Sequence, residues 1–298
     1  MSTLPPPSFF KLSPRQPPFN GGPGEAIVVS DGELECGSVA SEFPSIPKIE
    51  VNELLGPLAI ARGPHFLDEN CLVLRLGGRT ILFDAGMGAS PLLGQRAGRL
   101  LDSLAAAGVS AAAVDAIVLT HLHCDHAWGL INARGAPNFP NAQVFLSKVE
   151  FDAWMVEARP SGASAGSLED VQAMRDCLAP YRDRLSFVAD GEAFLDGVIP
   201  VATPGHTSGH MSYRIETAGF RLFNIGDVCH LHAIQFARPR WPFRWDGDPD
   251  AAVHSRLAAF GMAADEDLQV IGFHLPFPGV GRIERQGDGF RFLPASAA

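Results

Sequence analysis

The chain has 298 residues, of which 46% are apolar, and a formal net charge of −10. That is enough apolar material for a substantial core in one large domain or two small ones, and the acidic balance leaves nothing to neutralise a phosphate track, which excludes nucleic-acid binding. No stretch approaches the roughly eighteen uninterrupted apolar residues of a membrane span.

Residues 1–24 carry Pro5-Pro6-Pro7, Pro14, Pro17-Pro18 and Gly21-Gly22, a composition that predicts an irregular N-terminal arm, disordered or wrapped on a partner subunit of a homodimer. Met1 to Phe10 has no basic-then-apolar leader pattern, so secretion is not expected. Residues 25–298 carry the folded domain. Ala26–Ser30 reads as its first strand, closed by the turn Asp31-Gly32. Asn70–Leu76, the turn Gly77-Gly78 and Thr80–Phe83 form a hairpin that ends at Asp84. Pro91–Gly108 shows helical spacing, with Ser90 as cap and Gly108 as stop.

Val114–Leu119 reads as a buried strand and runs straight into Thr120-His121-Leu122-His123-Cys124-Asp125-His126. Three imidazoles and a carboxylate crowd into six residues of a chain with 10 histidines, which points to a metal site. On extended backbone, residues two apart point the same way, so His121 and His123 can grip one ion. Asp125 and His126, where the chain should turn, face a different position. Ala142–Ser147 reads as a strand, Lys148–Arg159 as a helix, Pro160–Gly166 as a small flexible link and Ser167–Leu185 as a second helix. This helical insertion, about residues 147–186, precedes the strand-like Gly197–Ala202 and the turn Thr203-Pro204-Gly205-His206-Thr207-Ser208-Gly209-His210. The apolar run Phe220–Ile225 then ends in Gly226-Asp227, and Leu268–Phe273 ends in His274. Every candidate ligand therefore lies just past the carboxyl end of a predicted strand, where rigid elements can deliver side chains to a common edge. Five histidines and two aspartates suffice for two ions that share one carboxylate. The aromatic and basic loop Arg238–Trp245 is a lid, an acyl-binding wall, a dimer contact or a stretch whose rings fold back on the sandwich surface, and the chain closes in a hairpin of Gly281–Glu284 with Phe290–Leu293.

The succession His-x-His-x-Asp-His, Gly-His turn, Gly-Asp and late His resembles the dinuclear metallo-β-lactamase superfamily, over roughly residues 25–294. The resemblance implies an αββα sandwich, two sheets face to face with helices outside. It assigns His121, His123 and His206 to one metal, Asp125, His126 and His274 to the other, and Asp227 to both. Gly226–Phe236 and His274–Gly281 are similar to the methyl parathion hydrolase branch, to which N-acyl homoserine lactonases are closely related. By the same resemblance, Leu122 speaks against the flavodiiron oxygen reductases, and His126 against the commonest penicillin-hydrolysing branches. Asp84 is expected to hold a ligand histidine from behind, with Thr120, Thr207 and His210 as weaker candidates for that task. His230 occupies the place, three residues past Asp227, where lactonases carry a tyrosine thought to assist the ring oxygen or carbonyl. A histidine there could give a proton to a leaving alkoxide, orient the substrate, or simply line the wall. Trp154 corresponds to an aromatic pocket residue of the methyl parathion hydrolase branch, and with Phe236, Phe273 and Phe277 is expected to build an apolar cavity for uncharged esters or acyl chains.

Imidazole and carboxylate ligands without thiolate suit Zn(II), with Mn, Fe, Co or Ni feasible. Two such ions lower the pKa of a shared water and polarise a carbonyl or phosphoryl oxygen, which makes Asp125, Asp227 and His230 the candidate catalytic side chains. The expected reaction is hydrolysis of a small ester-like substrate, with an N-acyl homoserine lactone favoured over a phosphotriester. A thioesterase of the glyoxalase II type is a further alternative, although no basic helical domain for glutathione is evident. The non-enzymatic alternative, a metal-dependent sensor or scaffold, is opposed by the complete ligand set. The five cysteines are odd in number and lack framework spacing, which predicts reduced thiols and a cytoplasmic location, with Cys124 and Cys229 as small buried fillers.

Overall fold

The computed structural model of the protein describes residues 6–14, 24–56, 65–90, 92, 94–156, 168–217 and 219–295. Alternating side chains build two sheets. The first has seven strands in chain order, β1 (Phe9–Leu12), β2 (Glu25–Glu35), β3 (Phe66–Leu76), β4 (Arg79–Phe83), β5 (Ala116–Val118), β6 (Gln143–Ser147) and β7 (Leu185–Val188). The second has six, β8 (Val198–Ala202), β9 (Met211–Thr217), β10 (Phe220–Gly226), β11 (Gln269–Gly272), β12 (Val280–Gln286) and β13 (Gly289–Pro294), lying side by side from β13 to β8. The helices are α1 (Lys48–Leu55), α2 (Leu100–Ala106), α3 (Cys124–Ala127), α4 (Lys148–Met155), α5 (Leu168–Leu178), α6 (His232–Gln235) and α7 (Pro249–Asp265).

Strand β3 shows how the layers arise. Leu72 and Leu74 face inward and join Phe83, Val118, Tyr213, Ile215, Leu222 and Ile271 in a core between the sheets. Cys71 and Val73, one residue out of phase, face outward and pack under Leu100 and Leu104 of α2 and Met174 of α5. The far face of the second sheet is covered in the same way by Ala259, Phe260 and Ala263 of α7. Successive residues thus serve opposite faces, and the result is the αββα sandwich of the metallo-β-lactamase fold. Strands β4, β5 and β6 run parallel, as do β10 and β11. Their carboxyl ends place Asp84, His121, Asp227 and His274 on one edge.

Several boundaries differ from the sequence expectation. β2 does not stop at Ser30. A bulge between Ser30 and Gly32 absorbs Asp31-Gly32 and the strand continues to Glu35. The helix expected over Pro91–Gly108 begins only at Leu100, because buried Asp31 accepts the N–H groups of Met87, Gly98 and Leu100 and holds the preceding segment as a loop. The second insertion helix ends at Leu178, where Pro180 has no N–H to continue it; a 3-10 turn, Ala179–Arg184, leads into β7. Within the arm, Phe9–Leu12 pairs with β2. The expected link Pro160–Gly166, with most of the arm, lies outside the described residues.

Candidate metal centre

Two groups of four donor atoms converge at the strand-end edge. One comprises His121, His123, His206 and Asp227, the other Asp125, His126, Asp227 and His274, each with its donor atoms within 4.8 Å of one another. In the first, His123 Nδ1 lies 2.8 Å from His121 Nε2 and 2.9 Å from His206 Nε2, and Asp227 Oδ2 is 3.2 Å from His206 Nε2. In the second, Asp125 Oδ2 is 3.2 Å from His274 Nε2 and 3.6 Å from His126 Nε2, and Asp227 Oδ1 is 3.2 Å from His126 Nε2. A tetrahedral ion with bonds of about 2.0 Å separates its ligand atoms by about 3.3 Å. The spacing fits. The chemistry of the donors fits as well: His126 Nε2 and Asp227 Oδ1 are buried and make no hydrogen bond among the described residues, which is costly unless something else satisfies them. Asp227 belongs to both groups and is placed to bridge.

The backbone delivers these groups at close quarters. Gly226 has φ +49°, and a Cβ there would sit 2.7 Å from His210 Nε2. That same Nε2 accepts the Asp227 N–H at 3.0 Å, while His210 Nδ1 pairs with Thr203 Oγ1 at 2.8 Å. His210 therefore holds Asp227 through its backbone and belongs to neither donor group. Asp84 reaches His126 Nδ1 at 3.1 Å and accepts the Thr120 N–H at 2.8 Å; Thr120 Oγ1 lies 3.1 Å from His121 Nδ1. Sequence reasoning missed Asp246. Its Oδ1 is 3.3 Å from His206 Nδ1 and its Oδ2 accepts from Arg256 Nη2 at 3.0 Å, a pair buried almost completely. Such carboxylates fix the tautomer and aim of a ligand imidazole. Nothing in Trp245-Asp246-Gly247-Asp248 distinguishes Asp246 from the helix cap Asp248 that follows.

Electrostatics follow from this crowding. Burial would raise the Asp227 carboxyl, but His126, His274 and His230 hold it well below the usual carboxylate range. Burial lowers the imidazoles of His121 and His123, helped by neighbouring rings. His206 and His274 are raised to about 9 despite burial, His206 by Asp227 and Asp246, His274 by Asp227 and Asp125. His126 is raised well above its ordinary value by Asp227, Asp125 and Asp84. The charge of the ionised carboxylates is thus balanced by protons on His126, His206 and His274.

A cavity of about 300 Å³ opens over the centre, lined by His123, Asp125, His206, Asp227, His230 and His274 below, and by Leu34, Leu67, Trp128, Trp154, Met174 and Trp245 at the sides. His230 Nε2 is 3.1 Å from Asp227 Oδ2, and its ring is stacked between Phe243 at 4.4 Å and His274 at 4.9 Å. Trp154 lines the cavity as expected. The three phenylalanines do not. Phe273 packs at 3.8 Å on the back of His126, Phe236 stacks with Phe260 and Phe292 on the outer face of the second sheet, and Phe277 lies against the core between the sheets. Cys124, expected as a buried filler, is half-buried and faces the cavity, whereas Cys229 is buried. The loop Arg238–Trp245 is a cavity wall at its end. Glu42 accepts the Trp245 indole N–H at 2.7 Å, and the Arg244 guanidinium lies 4.7 Å over that ring.

The family model for the metallo-beta-lactamase superfamily matches residues 66–220. The curated N-acyl homoserine lactonase AiiA of Bacillus thuringiensis subsp. kurstaki is 32% identical over 101 residues, 34% of this chain and 32% of that protein. The match thus spans about a third of that relative's length. Among solved structures, AidC, a dizinc quorum-quenching lactonase in complex with a product, superposes with a TM-score of 0.87 at 28% identity over 98% of this chain and 99% of its own. The hydrolase AbOPH gives a TM-score of 0.82 at 30% identity, over 97% and 100%.

Proposed function

Since the chain belongs to the metallo-β-lactamase superfamily, we propose that it is a dinuclear metallohydrolase, with zinc as its metal, that opens N-acyl homoserine lactones. The observation that carries the reading is the pair of donor sets sharing Asp227 on the floor of a largely apolar cavity, next to His230. The likeness to AidC along nearly the whole chain supports the lactone. Two divalent ions held by His121, His123, His206, Asp125, His126, His274 and Asp227 would polarise the scissile carbonyl and lower the pKa of a shared water to near neutrality.

The side chains supply the rest. Asp227, kept ionised, spans both donor sets and fixes their separation. Asp84 and Asp246 aim His126 and His206 from behind. Opening the ring breaks the bond between the acyl carbon and the ring oxygen, which departs as an alkoxide in need of a proton. His230 is placed to donate a hydrogen bond to that oxygen, while the proton it finally takes comes from the attacking water. Burial depresses its imidazole to about 4, so the ring is neutral at physiological pH and acts as an N–H donor rather than as an imidazolium. Trp154, Met174 and Leu67 offer apolar area to the acyl chain.

A phosphotriesterase of methyl parathion hydrolase type is the second reading, favoured by the stretches Gly226–Phe236 and His274–Gly281. The five free cysteines support a cytoplasmic enzyme, and among the described residues no helix is long and apolar enough to cross a membrane. A continuous proton-release assay on zinc-loaded protein with short-, medium- and long-chain acyl homoserine lactones tests the proposal. Two bound metals with no turnover on any of these lactones would overturn it, and turnover confined to aryl phosphotriesters would establish the second reading.

A further inference from the structure

Of the three imidazoles in the first donor set, His121 is held by Thr120 and His206 by Asp246. His123 differs. Its Nδ1 faces the other donors, and its buried Nε2 makes no hydrogen bond among the described residues. What stands against its ring is Trp154, edge-on at 6.2 Å between ring centres. The indole N–H of Trp154 donates at 3.0 Å to Oε1 of Glu150, a side chain on α4 that is 1% exposed.

Glu150 does more than hold Trp154. The same Oε1 accepts the backbone N–H of Leu122 at 3.0 Å, between the two ligands His121 and His123. Oε2 accepts from Thr207 Oγ1 at 2.7 Å and from the Gly209 N–H at 3.1 Å, in the turn that carries His206. Three of the four donors are N–H groups, which can only donate, so both oxygens accept; the carboxylate form satisfies all four donors at once, while burial raises its pKa against the bonds from Thr207, Leu122, Trp154 and Gly209. Charge-assisted bonds of this kind are roughly twice as strong as neutral ones. The approach is close enough to constrain the sequence: a Cβ on Gly209 would fall 2.2 Å from the Glu150 backbone nitrogen. One carboxylate thus ties the His121–His123 segment, the His206 turn and the indole behind His123 to a single point. Among the described residues no hydrogen bond of Glu150 reaches Asp125, His126 or His274; His126 is held by Asp84 and His274 by the Asp68 carbonyl.

We propose that Glu150 is a positioning residue that sets the affinity of one metal position, the one formed by His121, His123 and His206, and leaves the other nearly untouched. The inference rests on the assignment of the metal ligands and not on the identity of the substrate, so failure of the lactone assay would leave it standing.

The test is Glu150→Gln on the full chain. The amide keeps the shape but can satisfy both Oε1 donors only by turning its NH2 toward Thr207 and Gly209, where the hydroxyl can reverse and accept while the Gly209 N–H is opposed and loses its acceptor. Stepwise removal of Zn2+ by a competing chelator should show one step weakened about 10- to 100-fold, the range for lost supporting partners of ligands, with the other within about threefold. Dialysis against a weak chelator should then leave one zinc per chain instead of two. Two unchanged steps would overturn the proposal, and so would equal weakening of both, the mark of a merely structural role. Should Glu150→Gln fail to fold by circular dichroism, Thr207→Val and Trp154→Phe each remove a single donor. Each should weaken the same one step by a few fold, and two unaltered steps in both variants would refute the role.

Discussion

His230→Leu separates the two substrate classes. In the native protein the ring lies 3.1 Å from Asp227 Oδ2 and lines the cavity. Leucine has nearly the bulk of the ring but no N–H. Removing one preorganised donor to a developing oxyanion costs about 10²–10³ in kcat, roughly 2.7–4 kcal/mol. A lactone's alkoxide is a poor leaving group and should lose that much. A nitrophenoxide needs no donor, so an aryl phosphotriester should lose no more than about threefold. The fold also loses two ring stacks, with Phe243 and His274, worth about 0.5–1.5 kcal/mol each. With about 2.1 cal/mol/K per residue over 298 residues, unfolding entropy is about 0.6 kcal/mol/K, and Tm should drop about 2–5 °C. Assays well below Tm of kcat/KM on N-hexanoyl homoserine lactone and on an aryl dialkyl phosphotriester compare the two losses in one preparation. Equal losses on both substrates would refute donation by His230 and reduce it to a wall residue.

Asp246→Asn strands the Arg256 guanidinium, 1% exposed, and should cost about 3–5 kcal/mol, a fall in Tm of about 5–8 °C; Arg256→Met in that background should recover part of it, and a Tm within about 1 °C of wild type in the single variant would contradict the buried pair. Gly226→Ala forces a Cβ onto His210 at a positive φ and should lose about 2–4 kcal/mol together with bound metal, which denaturation and elemental analysis would detect; a variant with native Tm and two metals would show that the turn yields. Protonation gives opposite pH trends with and without metal. His206 and His274 are raised from 6.5 to about 9, so their contribution to metal-free stability is fully present below about pH 6.5 and is lost as pH rises to about 9. Metal must displace these protons, so affinity should climb through the same window, with proton release near pH 7 measurable by calorimetry in buffers of different ionisation enthalpy; binding without release would sink this account.

All seven residues of the two donor groups could be read in the chain because each follows an apolar run whose end can be placed to within a residue or two. Ten of the thirteen strands among the described residues were legible for the same reason, with β1, β7 and β9 missed, and Asp84 was legible for its position after Phe83. Side chains that act through distant partners were not. Glu150 sits in Lys148-Val149-Glu150-Phe151-Asp152, which reads as the polar face of a surface helix, and its burial is decided by the glycine at position 209, 59 residues away. Asp246 is buried because Arg256, ten residues on, turns inward from α7. Phe236, Phe273 and Phe277 illustrate a second limit. An aromatic residue near a ligand in sequence must bury its area somewhere, and three hydrophobic layers compete with the cavity for it.

The walls of the cavity and its floor come from different parts of the chain. The floor is built from strand ends locked by buried carboxylates, while much of the wall comes from residues 34–42, 67, 170–174 and 244–245, which hold no ligand. Over that part of the wall reactivity and selectivity are therefore separable, Trp154 being the exception because Glu150 ties its indole to the floor. A lineage can recut the wall by small steps, each tested on a working catalyst, without passing through an intermediate that has lost its metals. That independence gives a physical reason for one ligand pattern to persist while the molecules it attacks diverge.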